Sequence, residues 1–145
     1  MILFSCALEF ETNMIKKTNK LIIDATTDNI FLMIINEDNI YNITHKNSKD
    51  NFEKLIILIN TFLDDNNLKI NDLNLLYVNR GPGSFAGIRN SLSIIKAIHM
   101  INKIDYYCYS FQDFKGENNI EYENIPSLCN KFKIKKNLIK PIYIS

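Results

Sequence analysis

The sequence predicts an α/β fold: a mixed five-stranded sheet in the chain order βββαβαβ, forming a single lobe with a short C-terminal extension. Three observations predict it. Apolar runs of strand length alternate with two long segments of helical period. The first three strands are separated by turns so short that they must form an antiparallel meander. Three of the four glycines crowd one strand-to-helix turn, between Gly81 and Gly87.

Taken in order, Lys20 to Thr26 is a compact apolar run centred on Leu21-Ile22-Ile23, ending in Asp24-Ala25-Thr26-Thr27, polar groups suited to a strand end and turn. Asn29 to Asn36 forms a second strand. Glu37-Asp38 turns it into a third, Asn39 to His45, in which Ile40, Asn42 and Thr44 alternate with Tyr41, Ile43 and His45. Asp50, three residues before Glu53, reads as a capping-box start. Phe52, Leu55, Ile56, Ile59, Phe62 and Leu63 then follow helical spacing until Asp64-Asp65-Asn66-Asn67 ends the helix; Ile57 points nearly opposite this stripe and Leu58 flanks it. Leu73 to Val78 is the fourth strand. The helix from Ser84 to Ile101 carries two apolar faces, Phe85, Ile88, Leu92 and Ile95 on one, Ile94, Ala97, Ile98 and Ile101 on the other. A surface helix needs one such face, so two imply cover on both sides, from the sheet and from either the first helix or a second protein. Asp105 to Ser110 is the fifth strand. Strands four and five require helical crossovers and so run parallel to the first. This is the order of the ribonuclease-H-like and actin-like fold.

At 145 residues and 16.9 kDa the chain suits one domain with a core of its own. Its division is read as an N-terminal extension over 1–19, the lobe over 20–113 and a tail over 114–145. A net charge of +1 excludes a molecule-wide electrostatic footprint for nucleic acid. Cys6, Cys108 and Cys129 have neither metal spacing nor an even count, which points to a reduced, cytoplasmic setting. No apolar run approaches the roughly 20 residues of a membrane span. Residues 1–10 are apolar but have no basic start and carry Glu9, a poor signal peptide. Met14-Ile15-Lys16-Lys17 looks like an ordinary bacterial start, so residues 1–13 read as an upstream extension. Lys115 to Pro126 has no period and reads as a loop. Lys131 to Lys140 is a basic segment with Phe132, Ile134, Leu138 and Ile139 interleaved, read as a solvated face rather than an RNA-touching patch. Lys140 to Ser145 adds a strand or lies along the surface.

The chemistry centres on Asn79-Arg80-Gly81-Pro82-Gly83-Ser84-Phe85-Ala86-Gly87-Ile88-Arg89. Gly81 and Gly83 admit backbone geometry or close approach that a side chain would block. Free N–H groups at such a turn suit an anion or a tightly packed neighbour, and the physics alone leaves both open. The turn is neither a Walker A loop nor a dinucleotide fingerprint, since no Gly-Lys-Ser/Thr follows and the glycine spacing is one residue too long. Ser84 fails the nucleophile-elbow spacing and reads as a helix N-cap. Arg89 reads as a structural salt bridge. Asp24 stands where an actin-like ATPase holds its metal-bound nucleotide, with Thr26 and Thr27 as a nucleotide-loop remnant, but it stands nearly alone. A ribonuclease-H nuclease needs a carboxylate at the end of the fourth strand, where Asn79 stands, so nuclease chemistry is not expected. His45 and His99 have no partner at metal-ligand spacing.

Gly81-Pro82-Gly83-Ser84-Phe85-Ala86-Gly87-Ile88-Arg89 closely resembles the Gly-Pro-Gly-Ser-Phe-Thr-Gly-Leu-Arg signature of the TsaB (YeaZ) family. The resemblance runs from about Leu21 to Phe111, with Asp24-Ala25-Thr26 similar to the family's Asp-Thr-Ser opening and Ala25 a departure. It implies an actin-like lobe and a non-catalytic subunit in bacterial tRNA threonylcarbamoyladenosine formation, a pseudoenzyme that pairs as a homodimer or with the catalytic paralogue TsaD. It also implies a TsaE-like ATPase as further partner, ATP and metal held by the partner subunit, no cofactor on this chain, and tRNA met only through the complex. The TsaD metal motif has no counterpart at Ser110 to Phe114. Family proteins continue into a second lobe, and the roughly thirty residues after Asp113 are too few for one, so a reduced single-lobe member is expected. The expected partner interface comprises Ile57, Leu58, Ile94, Ala97, Ile98 and Ile101. The alternative is a small nucleotide-binding enzyme using Asp24 and the turn from Gly81 to Gly87.

Overall fold

A computed structural model describes residues 18–37 and 39–143. The upstream extension and the candidate start at Met14 lie outside the described residues. The strands are β1 (Lys20–Asp24), β2 (Asn29–Ile35), β3 (Ile40–Lys46), β4 (Leu75–Asn79) and β5 (Asp105–Tyr109), and the sheet order is β3-β2-β1-β4-β5. β1 pairs antiparallel with β2 and parallel with β4, Ile22 lying opposite Met33 on one side and Tyr77 on the other. β2 pairs antiparallel with β3, and β4 parallel with β5. The predicted βββαβαβ order and strand directions are those observed.

The helices are α1 (Lys49–Glu53), α2 (Leu55–Asp65), α3 (Phe85–Asn102) and α4 (Ile125–Lys131). The single helix expected after Asp50 is thus two segments, interrupted at Lys54. Its capping box is also misplaced: the Ser48 hydroxyl accepts from the Asn51 N–H at 3.2 Å, and Asp50 sits in the first turn, paired with Lys54 at 3.1 Å. The serine precedes the first helical residue and can reach back over the free amides; Asp50, already inside the turn, cannot.

One apolar core lies between the sheet and the layer of α2 and α3, with Leu21, Ile23, Leu76 and Val78 meeting Leu55, Ile59, Ile88, Leu92, Ile95 and Ile98. The other face of the sheet carries Ile22, Met33, Tyr77 and Tyr109, and the tail covers it with Phe114, Ile125, Leu128 and Cys129. Alternate residues of one strand therefore serve two cores. The predicted loop from Lys115 to Pro126 ends in a 3-10 turn (Tyr122–Asn124) that leads directly into α4, which takes Pro126 in its first turn, where the missing N–H costs nothing. In the basic segment Phe132 and Ile134 pack on the tail-side core, and Ile139 on the helix-side core. Among the described residues, 140–143 add no strand; the Ile142 N–H donates to the Arg80 carbonyl at 2.8 Å.

Candidate functional site

β1 ends at Asp24, which is buried (1% exposed) at the point where the sheet meets the glycine turn and the tail. Its Oδ1 accepts from the Thr26 N–H at 2.9 Å and the Thr26 hydroxyl at 2.7 Å. Its Oδ2 accepts from Asn79 Nδ2 at 2.9 Å and the Tyr122 hydroxyl at 2.7 Å. Four donors from three parts of the chain converge on one carboxylate, which is how a buried acidic group is accommodated without a counter-ion. Tyr122 comes from the tail, 98 residues away along the chain. Its ring stacks on Phe31 with centroids 4.1 Å apart. Burial, followed by the Asp24 charge and the hydrogen bond to it, raises the Tyr122 pKa, so the phenol keeps its proton and donates. Tyr109 lies beside this group, fully buried, its pKa also raised by burial and then by Asp24.

The glycine turn packs against the same region. A Cβ on Gly81 would lie 2.1 Å from the Ile142 carbonyl oxygen, and one on Gly83 2.2 Å from the Thr26 carbonyl oxygen. Gly81 also has φ +110°, a conformation that L side chains rarely adopt. Three amides of the turn have partners within the chain: Gly81 N–H donates to Asn79 Oδ1 at 2.9 Å, Ser84 N–H to the Thr26 carbonyl at 2.8 Å, and Gly87 N–H to the Ser84 hydroxyl at 3.2 Å. Close packing, one of the two uses the sequence left open, is present: the β1–β2 turn lies against one glycine and the tail against the other. Ser84 is the N-cap of α3. Thr27, grouped with Asp24 and Thr26 from the sequence, is exposed and bonds only to the Asn29 backbone, at 3.4 Å, and to Asn47.

Arg89 makes no ion pair with any described residue and is exposed, contrary to the salt bridge expected of it. That pair belongs to Arg80, whose Nη2 meets Asp113 Oδ1 at 2.7 Å and whose Nη1 donates to the Lys140 carbonyl at 3.0 Å. The reason is position: Arg80 leaves the end of β4 beside the tail, whereas Arg89 projects from the outer side of α3. Asp113 also accepts from the Ser110 N–H at 2.8 Å, so one carboxylate caps the turn after β5 and holds Arg80. Phe85 corrects the sequence reading too, being 57% exposed and resting on Tyr143, centroids 4.7 Å apart, rather than facing the sheet. His99 Nδ1 lies 2.9 Å from the Ile104 carbonyl, a packed histidine.

The expected interface residues divide into three groups. Ile98 is 4% exposed and belongs to the chain's own core, which removes it from any partner surface. Leu58 and Ile94 are half-buried against that core. Ile57 and Ile101 are 58% and 77% exposed, and Ala97 is exposed one turn before Ile101 on α3. Met100, 61% exposed, joins them although the sequence reading did not include it. Tyr122, Asn79, Arg80 and Asp113, which knit the turn to the tail, were likewise not singled out as site residues. Among the described residues no three His, Cys, Asp or Glu side chains converge as a metal ion would require, and no helix is long and apolar enough to cross a membrane.

No family model matches the chain. The tRNA threonylcarbamoyladenosine biosynthesis protein TsaB of Buchnera aphidicola subsp. Baizongia pistaciae is 32% identical over 65 residues, covering 39% of this chain and 29% of that protein. The protein of the same name from Buchnera aphidicola subsp. Schizaphis graminum is 28% identical over 87 residues, covering 60% of this chain and 41% of its own. Among solved structures, YeaZ from Pseudomonas aeruginosa superposes with a TM-score of 0.60 at 16% identity, covering 64% of this chain and 44% of that one. The chain thus spans less than half the length of each of these three proteins. In sequence the chain is similar to TsaB proteins over part of their length, and its α/β fold is similar to that of YeaZ.

Proposed function

We propose that this chain is a non-catalytic partner subunit in bacterial tRNA threonylcarbamoyladenosine formation, a cytoplasmic pseudoenzyme that binds and supports a TsaD-like catalytic paralogue. In this reading a TsaE-like ATPase completes the assembly, and ATP and metal sit in the partner subunit. One observation carries the proposal: α2 and α3 leave Ile57, Ala97 and Ile101 uncovered, although the chain covers the central strands of its sheet on both faces by itself. Apolar side chains left exposed on a helical layer are the kind of surface that a second protein covers. The node at Asp24 supports the non-catalytic part. Its four acceptor positions are taken by Thr26, Asn79 and Tyr122, which leaves the carboxylate no free lone pair for a metal-bound nucleotide as it stands.

The test is co-expression with the TsaD-like paralogue of the same organism and size-exclusion chromatography of the tagged pair. The wild-type chain elutes with the paralogue, and the double variant Ile57→Lys with Ile101→Lys elutes alone while keeping its melting temperature. Co-elution of that variant at wild-type yield would overturn the assignment of the surface. The enzyme alternative is separated by calorimetric titration of the isolated chain with Mg-ATP, where binding heat would favour it.

A further inference from the structure

At the C-terminal end of the parallel pair β4 and β5, a concavity of about 190 Å³ is rimmed by Arg80, Lys133, Lys135, Lys140, Asp113 and Leu138, with Cys108 also on its wall. Ligands of α/β sheets settle outside the carboxyl ends of the strands, and this is the end at which Arg80 emerges from β4. Four cationic side chains face one carboxylate there, a surplus of three positive charges in a molecule whose net charge is only +1.

The lysines of the tail are not equivalent. Lys131 is paired with Glu117, and Lys136 with Asp105 at 3.3 Å. Lys133, Lys135 and Lys140 make no ion pair with any described residue, and these three rim the concavity. Their backbone is fixed. The Ile134 N–H donates to the Cys129 carbonyl at 2.9 Å, the Asn137 N–H to the Tyr106 carbonyl at 2.8 Å, and the Lys140 carbonyl accepts from Arg80 at 3.0 Å. Arg80, with 14% of its side chain exposed, uses one N–H toward Asp113 and one toward Lys140 and is itself held in place. Unpaired cations on a fixed backbone around a concave surface make an electrostatic site for phosphate oxygens.

We propose that this basic concavity binds the phosphodiester backbone of RNA, with Lys133, Lys135 and Lys140 as the contacting cations and Arg80 as the residue that fixes the rim. The choice of RNA among polyanions rests on the function proposed above; the anion site itself does not. Three phosphate contacts correspond to a slope of about 2 to 3 in log affinity against log salt, a loss of roughly 20- to 40-fold between about 50 and about 200 mM.

The test is fluorescence anisotropy of the full chain with a labelled tRNA transcript across that salt range. The triple variant Lys133→Gln, Lys135→Gln, Lys140→Gln is expected to flatten the slope by about 2 to 3. A control triple of exposed lysines elsewhere, Lys46→Gln, Lys49→Gln, Lys96→Gln, is expected to leave it unchanged. Equal slopes for the two variants would overturn the site. Competition by polyglutamate as effective as by tRNA would overturn the choice of RNA, as would binding of inorganic phosphate without binding of the transcript. Co-elution of the rim triple with the TsaD-like paralogue is measured in parallel, so failure of this site and failure of the proposed pairing are read on different instruments.

Discussion

Changing Tyr122 to Phe removes one oxygen from the tail and tests whether the tail is fastened to the lobe through Asp24. The phenol donates to Asp24 Oδ2 at 2.7 Å, while the ring, which the variant keeps, stacks on Phe31 at 4.1 Å. A hydrogen bond to a charged acceptor contributes about 1.5 to 3 kcal/mol, and its loss leaves a buried carboxylate oxygen with Asn79 as its one remaining donor. For a chain of this size that corresponds to a fall in melting temperature of roughly 5 to 10 °C. The assay is reversible urea unfolding followed by circular dichroism, run as a double-mutant cycle with Asp24→Asn. The account predicts a coupling of at least about 1 kcal/mol between the two positions, because each substitution alone removes the same hydrogen bond to a charged acceptor. A coupling below about 0.5 kcal/mol would refute the claim that this contact fastens the tail.

The remaining predictions bear on the turn, the helical layer and the tyrosines. Gly81→Ala and Gly83→Ala each place a methyl about 2 Å from a backbone carbonyl oxygen, and each is expected to cost several kcal/mol by denaturant titration, Gly81→Ala more because of its φ of +110°. Ile98→Glu, which places a charge in the core, is expected to yield insoluble or unfolded protein, whereas Ile101→Glu, at a 77% exposed site, is expected to melt within about 2 °C of wild type. Burial raises the pKa of Tyr77, Tyr106, Tyr109 and Tyr122 above the ordinary value near 10. Their contribution to stability is therefore complete below about pH 10 and is lost as the pH climbs toward the raised values, so unfolding monitored by tyrosinate absorbance is expected to be cooperative in strong alkali and shallower in Tyr122→Phe.

The strand and helix order was legible because period and turn length carry it. Leu21-Ile22-Ile23 and the short turn at Glu37 leave little choice of pairing, and the crossovers fix β4 and β5 as parallel. The cover on the second face was less legible, though two signals were present. A central strand with consecutive apolar residues needs material on both faces, and Ile125, Leu128, Cys129 and Phe132 follow helical spacing from the end of the segment read as loop to the start of the one read as a solvated face. The helix is only seven residues long and starts beside a proline, which masks that spacing.

The hydrogen bond from Tyr122 to Asp24 was not legible at all. Nothing local marks a tyrosine as the donor to a carboxylate 98 residues earlier, since the contact exists only once the tail has crossed the sheet. Ile98 was misplaced for a related reason. Helical spacing shows that α3 has two apolar faces but not how far the sheet and α2 wrap around it, and here they reach Ile98 while leaving Ile101 in solvent. Arg80 and Arg89 stand nine residues apart with the same side chain, and only the path of the tail decides which one finds an acid.

The most direct test of the central claim is the affinity of the purified chain for the TsaD-like paralogue by isothermal titration calorimetry, comparing wild type with Ile101→Lys. The account predicts saturable binding with a negative heat-capacity change, from apolar burial, and at least a tenfold weaker affinity for the variant, about 1.4 kcal/mol. Equal affinities, or a wild-type chain that gives no binding heat at any temperature tried, would contradict it.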